Sequence, residues 1–111
     1  MLKKLFQCID EKDTVAFIDF LAPDGVFRFG NQPAVSGKEH ITGYITAFFD
    51  SIRAIKHDVV DSWQIDNTII CQGFVTYTYH DGNTLTVPFA NILKCSGNKI
   101  HEYLIFVDNK L

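Results

Sequence analysis

Glycine, proline and cysteine are all scarce in this chain of 111 residues, at 7, 3 and 3. The glycines form no phosphate-cradling loop, no serine sits on a nucleophile elbow, and the four histidines lack metal-ligand spacing to any cysteine. No metal and no cofactor are therefore expected. Cys8, Cys71 and Cys95 are an odd number without metal spacing, and read as free thiols kept reduced in the cytoplasm. A basic excess is missing too: 10 Lys and Arg stand against 13 Asp and Glu, a formal charge of −3, so no nucleic-acid or anionic-membrane footprint exists. No apolar run approaches the roughly 18 to 20 residues that a membrane span requires. Lys3 and Lys4 precede only the broken pattern Leu5-Phe6-Gln7-Cys8-Ile9-Asp10, which is no signal-peptide core.

What remains is apolar and aromatic. Hydrophobic residues make up 47% and charged ones 21%, the balance of a folded globule and not of a disordered chain. The length suits one domain spanning residues 1–111. Fifteen aromatics (10 Phe, 4 Tyr and 1 Trp) must either fill a very aromatic core or line a cavity.

Leu2, Leu5, Phe6 and Ile9 recur at helical spacing. Asp13 is placed to cap a second short helix through Leu21, which Pro23-Asp24-Gly25 should break. Val26 to Phe29 reads as a short strand. Ser36 and Glu39 have capping-box spacing ahead of a third helix carrying Ile41, Tyr44, Ile45, Phe48, Phe49 and Ile52. From Lys56 the period becomes two. Lys56 to Ile65, Thr68 to His80, Thr84 to Cys95 and Lys99 to Asp108 read as four strands joined by two-residue turns at Asp66-Asn67, Asp81-Gly82 and Gly97-Asn98. Helices first and an antiparallel meander afterwards define an α+β fold.

Tight turns fix register, and register decides which side chains share a face. Two-residue turns throughout would place His57, Val59, Asp61, Trp63, Gln72, Phe74, Thr76, Val87, Phe89, Asn91, Leu104, Phe106 and Asp108 together, facing the helices. So many polar groups among apolar neighbours suit a ligand pocket better than a plain core, because buried polar groups need partners. Val60, Cys71, Val75, Tyr77, Tyr79, Ala90, Ile92, Tyr103, Ile105 and Val107 would form the other face, apolar enough to cover a second copy in a sheet-to-sheet homodimer.

Within the expected pocket, His57, Asp61 and Asn91 are the candidate catalytic groups. A neutral histidine suits general acid–base work, and the competing role for His57 is a plain strand-end residue. Four residues along a strand separate His57 from Asp61 by about 13 Å, too far for a hydrogen bond unless a bulge intervenes. Phe17, Phe29, Trp63, Gln72, Phe74, Phe89, Leu104, Phe106 and Asp108 are the candidate ligand-binding residues. Phe20, Phe27, Phe48 and Phe49 read as core and pocket wall.

The two short helices, the segment Leu21-Ala22-Pro23-Asp24-Gly25-Val26-Phe27-Arg28-Phe29, Ser36-Gly37 before a third helix, Val87-Pro88-Phe89-Ala90 and the strand from Ile100 to Asp108 resemble the nuclear transport factor 2-like superfamily. The closest likeness is to its SnoaL-like, polyketide-cyclase-like branch. This resemblance implies a cone-shaped curved antiparallel sheet wrapped around three N-terminal helices, a pocket inside the cone, and frequent dimers. It does not supply a ketosteroid-isomerase site, since Phe29 falls at the base and Leu5 at the tyrosine, with Asn91 near the acid. Against scytalone-dehydratase-like enzymes, Asp10 in the turn after the first helix and His57 match half of the site, while Tyr79 falls at the second histidine. Epoxide-hydrolase-like chemistry needs an arginine between carboxylates, and Arg28 and Arg53 lie off the expected pocket face. Two functions fit. One is binding of a small, mainly apolar ligand, with or without its conversion by cofactor-free lyase or isomerase chemistry at His57. The other is a non-catalytic dimeric interaction module.

Overall fold

Leu5, Phe6 and Ile9 form one apolar stripe of helix α1 (Leu2–Asp10), and that stripe is buried. The chain then reverses through Lys12, whose φ of +54° lies in the left-handed region. Asp13 caps α2 (Thr14–Asp19) as its residue type dictates, accepting from the Ala16 amide at 3.1 Å. The structure is a computed structural model and describes residues 1–108. Strand β1 (Leu21–Phe29) and the two-residue β2 (Val35–Ser36) lead into α3 (Lys38–Ser51), which buries Ile41, Ile45 and Phe49. Four long strands follow: β3 (Ala54–Ile65), β4 (Thr68–Thr78), β5 (Thr84–Ser96) and β6 (Lys99–Val107).

The sheet order is β2-β1-β6-β5-β4-β3. Every neighbouring pair is antiparallel except β1 and β6, which run parallel. All three helices pack on one sheet face, where Phe17, Phe27, Val75, Leu93, Ile100 and Tyr103 are almost wholly buried in one core. Burying a side chain of this size contributes about 1.5–3 kcal/mol. The Lys12 ammonium locks the helical layer by donating to the Phe49 and Ile52 carbonyls, at 3.3 and 3.0 Å. Those carbonyls lie at the α3 C-terminus, where the helix dipole favours a cation.

Two local expectations fail. The second helix ends at Asp19, before Leu21 and ahead of Pro23-Asp24-Gly25, and those three residues lie inside β1, which starts at Leu21 and not at Val26. The ladder to β6 is irregular between Leu21 and Val26 and needs no Pro23 amide there. The Ser36–Glu39 capping box does not form. Ser36 belongs to β2, and Gly37 caps α3 at φ +86° with no side-chain bond.

The larger correction concerns register. Asp66-Asn67 and Gly97-Asn98 do make two-residue turns, pairing Ile65 with Thr68 and Ser96 with Lys99. The middle connection is longer. Thr78 pairs with Thr84, and residues 79–83 close through Tyr79 N–H to Asn83 O, with the Asp81 carboxylate accepting from the Asn83 amide. Gln72 therefore faces Ala90 and Phe74 faces Pro88, one residue away from the two-residue expectation. A bulge between Val59 and Asp61 and another between Lys94 and Cys95 shift two further ladders. A shift of one residue sends a strand's whole apolar set to the opposite face.

Trp63, Phe74 and Phe106 consequently point away from the helices, with 51%, 47% and 42% of their surface exposed. Asp61, Gln72, Thr76, Leu104 and Asp108 also lie off the core face. Cys71, Val75, Tyr77, Tyr103, Ile105 and Val107, expected on the outside, instead join the interior.

Candidate functional site

The β3 bulge is what turns His57 inward while Asp61 and Trp63 turn outward, since Val59 faces Gly73 but Asp61 faces Gln72. Inside, His57 meets α1. Its Nδ1 lies 2.7 Å from Asp10 Oδ1, and its backbone N–H donates to both Asp10 oxygens at 3.2 and 3.1 Å. An ionised carboxylate only accepts, so Nδ1 carries the hydrogen and Nε2 of the neutral ring is left as an acceptor. Phe6 and Phe89 flank the imidazole at 4.7 and 5.2 Å between centroids. The His57 side chain is only 10% exposed.

His57 and Asn91 are the polar non-phenolic members of the wall of a narrow interior cavity of about 40 Å³. That is room for roughly three water-sized groups. Nine of the lining side chains are Phe or Tyr, among them Phe17, Phe29, Phe48, Tyr44, Tyr77 and Tyr103. Phe29 and Phe48 lie 5.3 Å apart, and Phe27 and Tyr103 are equally close, at tilted angles. Asn91 is 2% exposed and its buried Oδ1 accepts no hydrogen bond among the described residues. An unpaired buried carbonyl of this kind costs about 1–3 kcal/mol, a cost that a hydrogen-bonding ligand removes.

Of the sequence-derived candidates, the structure brings together His57, Asn91, Phe17, Phe29 and Phe89 around this cavity. It does not bring Asp61 there; that carboxylate accepts from Gln72 Nε2 at 2.7 Å on the exposed face. Trp63, Gln72, Phe74, Leu104, Phe106 and Asp108 do not line it either. Arg28 stacks over Phe106, 5.6 Å from the ring centre. The partner of His57 is Asp10, which the likeness to scytalone-dehydratase-like enzymes alone singles out. Spacing does not reveal Tyr77 and Tyr103 as lining groups because their parity is inverted, nor Tyr44, because a helix stripe does not separate core from cavity. Among the described residues no group of three or more His, Cys, Asp or Glu could hold a metal ion, and no helix is long and apolar enough to cross a membrane.

The family model of the SnoaL-like domain matches residues 2–103. The chain belongs to the SnoaL-like family. No curated protein matches it. Its fold is shared with a polyketide-cyclase candidate from Xanthomonas campestris at TM-score 0.88 and 18% identity, covering 96% of this chain and 87% of that one. A protein of ketosteroid-isomerase-like fold from Catenulispora acidiphila, in complex with trimethylamine, gives 0.86 at 14% identity, covering 95% and 82%. TerC, co-crystallised with polyporic acid, gives 0.83 at 12%, covering 96% and 88%. The fold of this SnoaL-like protein is thus the α+β roll of nuclear transport factor 2-like proteins, as its sequence pattern implies.

Burial disfavours ionisation of the buried thiol and phenols in and beside the cavity. It pushes the Cys71 thiol up to about 11 and the Tyr77 phenol up to about 12, and raises Tyr103 further. These groups ionise more readily in the unfolded chain, from about their ordinary values of 9 and 10. Stability is therefore fully present below pH 9 and falls as pH climbs towards 12. Urea midpoints measured in that alkaline range should decline steadily, and Tyr77→Phe should flatten the decline. A midpoint constant up to the top of the range contradicts this.

Proposed function

We propose that this SnoaL-like protein binds a small, mainly apolar molecule in the aromatic cavity and moves a proton on it without a cofactor, as an isomerase or lyase of the cytoplasm. The observation that carries the reading is the Asp10–His57 pair, which leaves Nε2 as a proton acceptor in a ring that lines the same cavity as Asn91, whose Oδ1 is unpaired. In this reading Asp10 holds the imidazole tautomer, His57 takes and returns the proton, and Asn91 orients the substrate's polar atom. Phe17, Phe29 and Phe89 hold the apolar part, and a low local dielectric strengthens each polar contact. The chemically varied ligands of the two fold neighbours, trimethylamine and polyporic acid, are compatible with a pocket whose walls set the choice. Incubation of the protein with small carbonyl compounds in heavy water tests the reading. Deuterium should appear at carbon next to the carbonyl, and His57→Ala should slow the exchange by about 10²–10⁴-fold with the fold intact. Equal exchange by the variant removes His57 from the reaction.

A second reading concerns the outer sheet face, and it does not exclude the first. Trp63, Phe74, Phe106, Val60 and Ile65 are exposed there and on the β3–β4 hairpin. An apolar patch of this kind fits a homodimer interface, now through the face opposite the one the turn spacing implied. Light scattering should give twice the chain mass at micromolar concentration, and Trp63→Glu combined with Phe74→Glu should halve it. A single-chain mass for the unaltered protein refutes the dimer.

A further inference from the structure

The cavity's electrostatics are one-sided. No lysine or arginine lines it, and the Asp10 carboxylate lies behind the imidazole, its Oδ1 2.7 Å from His57 Nδ1. The cavity's unmatched buried polar atom, Asn91 Oδ1, is an acceptor, and so is His57 Nε2 when Nδ1 carries the hydrogen. Nine aromatic rings contribute the rest of the field, and an aromatic face is electron-rich. A carboxylate entering this space finds only neutral donors, the phenols of Tyr44, Tyr77 and Tyr103 and the Asn91 carboxamide N–H, with a second carboxylate behind His57 and no cation to offset its lost hydration. A protonated amine meets the reverse: acceptors for its N–H groups, ring faces for its charge and alkyl substituents, and Asp10 behind the imidazole.

We infer that the cavity selects a small organic cation, a compact protonated amine, over neutral and anionic molecules of the same shape. Compactness follows from the 40 Å³ of space, which a long chain or a fused ring system does not enter without displacing Phe48 or Tyr44 at its wall. The inference rests on the reading that this cavity is a ligand site, and it adds the charge class of the ligand to that reading. Cation–ring attraction grows once water is excluded, and here several rings share one small space.

The test compares three near-isosteric probes by calorimetric titration of the full chain near neutral pH: tert-butylammonium, tert-butanol and pivalate. The ammonium should bind at least about tenfold more tightly than the alcohol, and pivalate more weakly than both. Asp10→Asn should erase most of the preference for ammonium over alcohol. Pivalate or the alcohol binding as tightly as the ammonium overturns the inference, while any binding of the alcohol, or of phenol as a flat neutral probe, upholds the cavity as a ligand site. If none of the four binds, both the inference and the ligand-site reading fall. Should Asp10→Asn not fold, the ordering of the probes on the unaltered protein still decides.

Discussion

Gly73→Ala is expected to destabilise the protein by at least about 3 kcal/mol, the upper range for forcing atoms into a packed interior. A methyl group at this position would sit 2.0 Å from the Asp58 carbonyl oxygen and 2.9 Å from Val59 Cα. Both are backbone atoms of β3, so no flexible side chain can move aside. They come this close because the bulge beside Val60 kinks β3 towards Gly73, its partner in the ladder. For a domain of this size such a loss lowers the melting temperature by roughly 12–24 °C. The variant can relieve the clash by undoing the bulge, which reverses the parity of β3 beyond Val60 and turns Trp63 from the exposed face. Thermal melting together with Trp63 fluorescence separates the loss of stability from this change of register. A variant that melts within a few degrees of the original and keeps its Trp63 emission unchanged would show that the close approach is unimportant.

Asp10→Asn is expected to cut proton-transfer activity by about 10³–10⁴-fold, the scale seen when a histidine base loses the carboxylate that fixes its tautomer. The carbonyl oxygen of the substituted side chain can still accept from the His57 backbone amide, so the fold should survive. The new carboxamide no longer demands a hydrogen on Nδ1, however, and a ring protonated on Nε2 cannot act as a base there. Nitrogen NMR of the imidazole should show the tautomer change, and deuterium exchange should show the loss of rate. Unchanged exchange with a changed tautomer would disconnect Asp10 from the chemistry.

Both positions lie where local sequence patterns cease to be informative. Helical periodicity locates α1, α2 and α3, the Asp13 cap follows from residue type alone, and alternation locates the four long strands. Two-residue turns put Asn91 and Phe89 inside, where they are, although the turn before β5 is longer than that. Two errors of one residue cancel: the inner face of β4 is the other one, and so is its offset from β5. His57 is inside as expected because the bulge inverts only the far part of β3 and leaves His57 on the inner side. Trp63 and Phe74 have no such compensation.

Propensity and periodicity act over a few neighbouring residues, and they suffice for the α+β class, the helical stripes with the Asp13 cap, and the strands with two of their three turns. Which sheet face meets the helices, the reach of Asp10 to His57 and the unpaired Asn91 Oδ1 in an aromatic cavity depend on long-range packing. A bulge or a lengthened loop costs little locally, and what selects it is the packing of distant side chains such as Tyr103 and Phe17 against one another, which no short window of sequence contains.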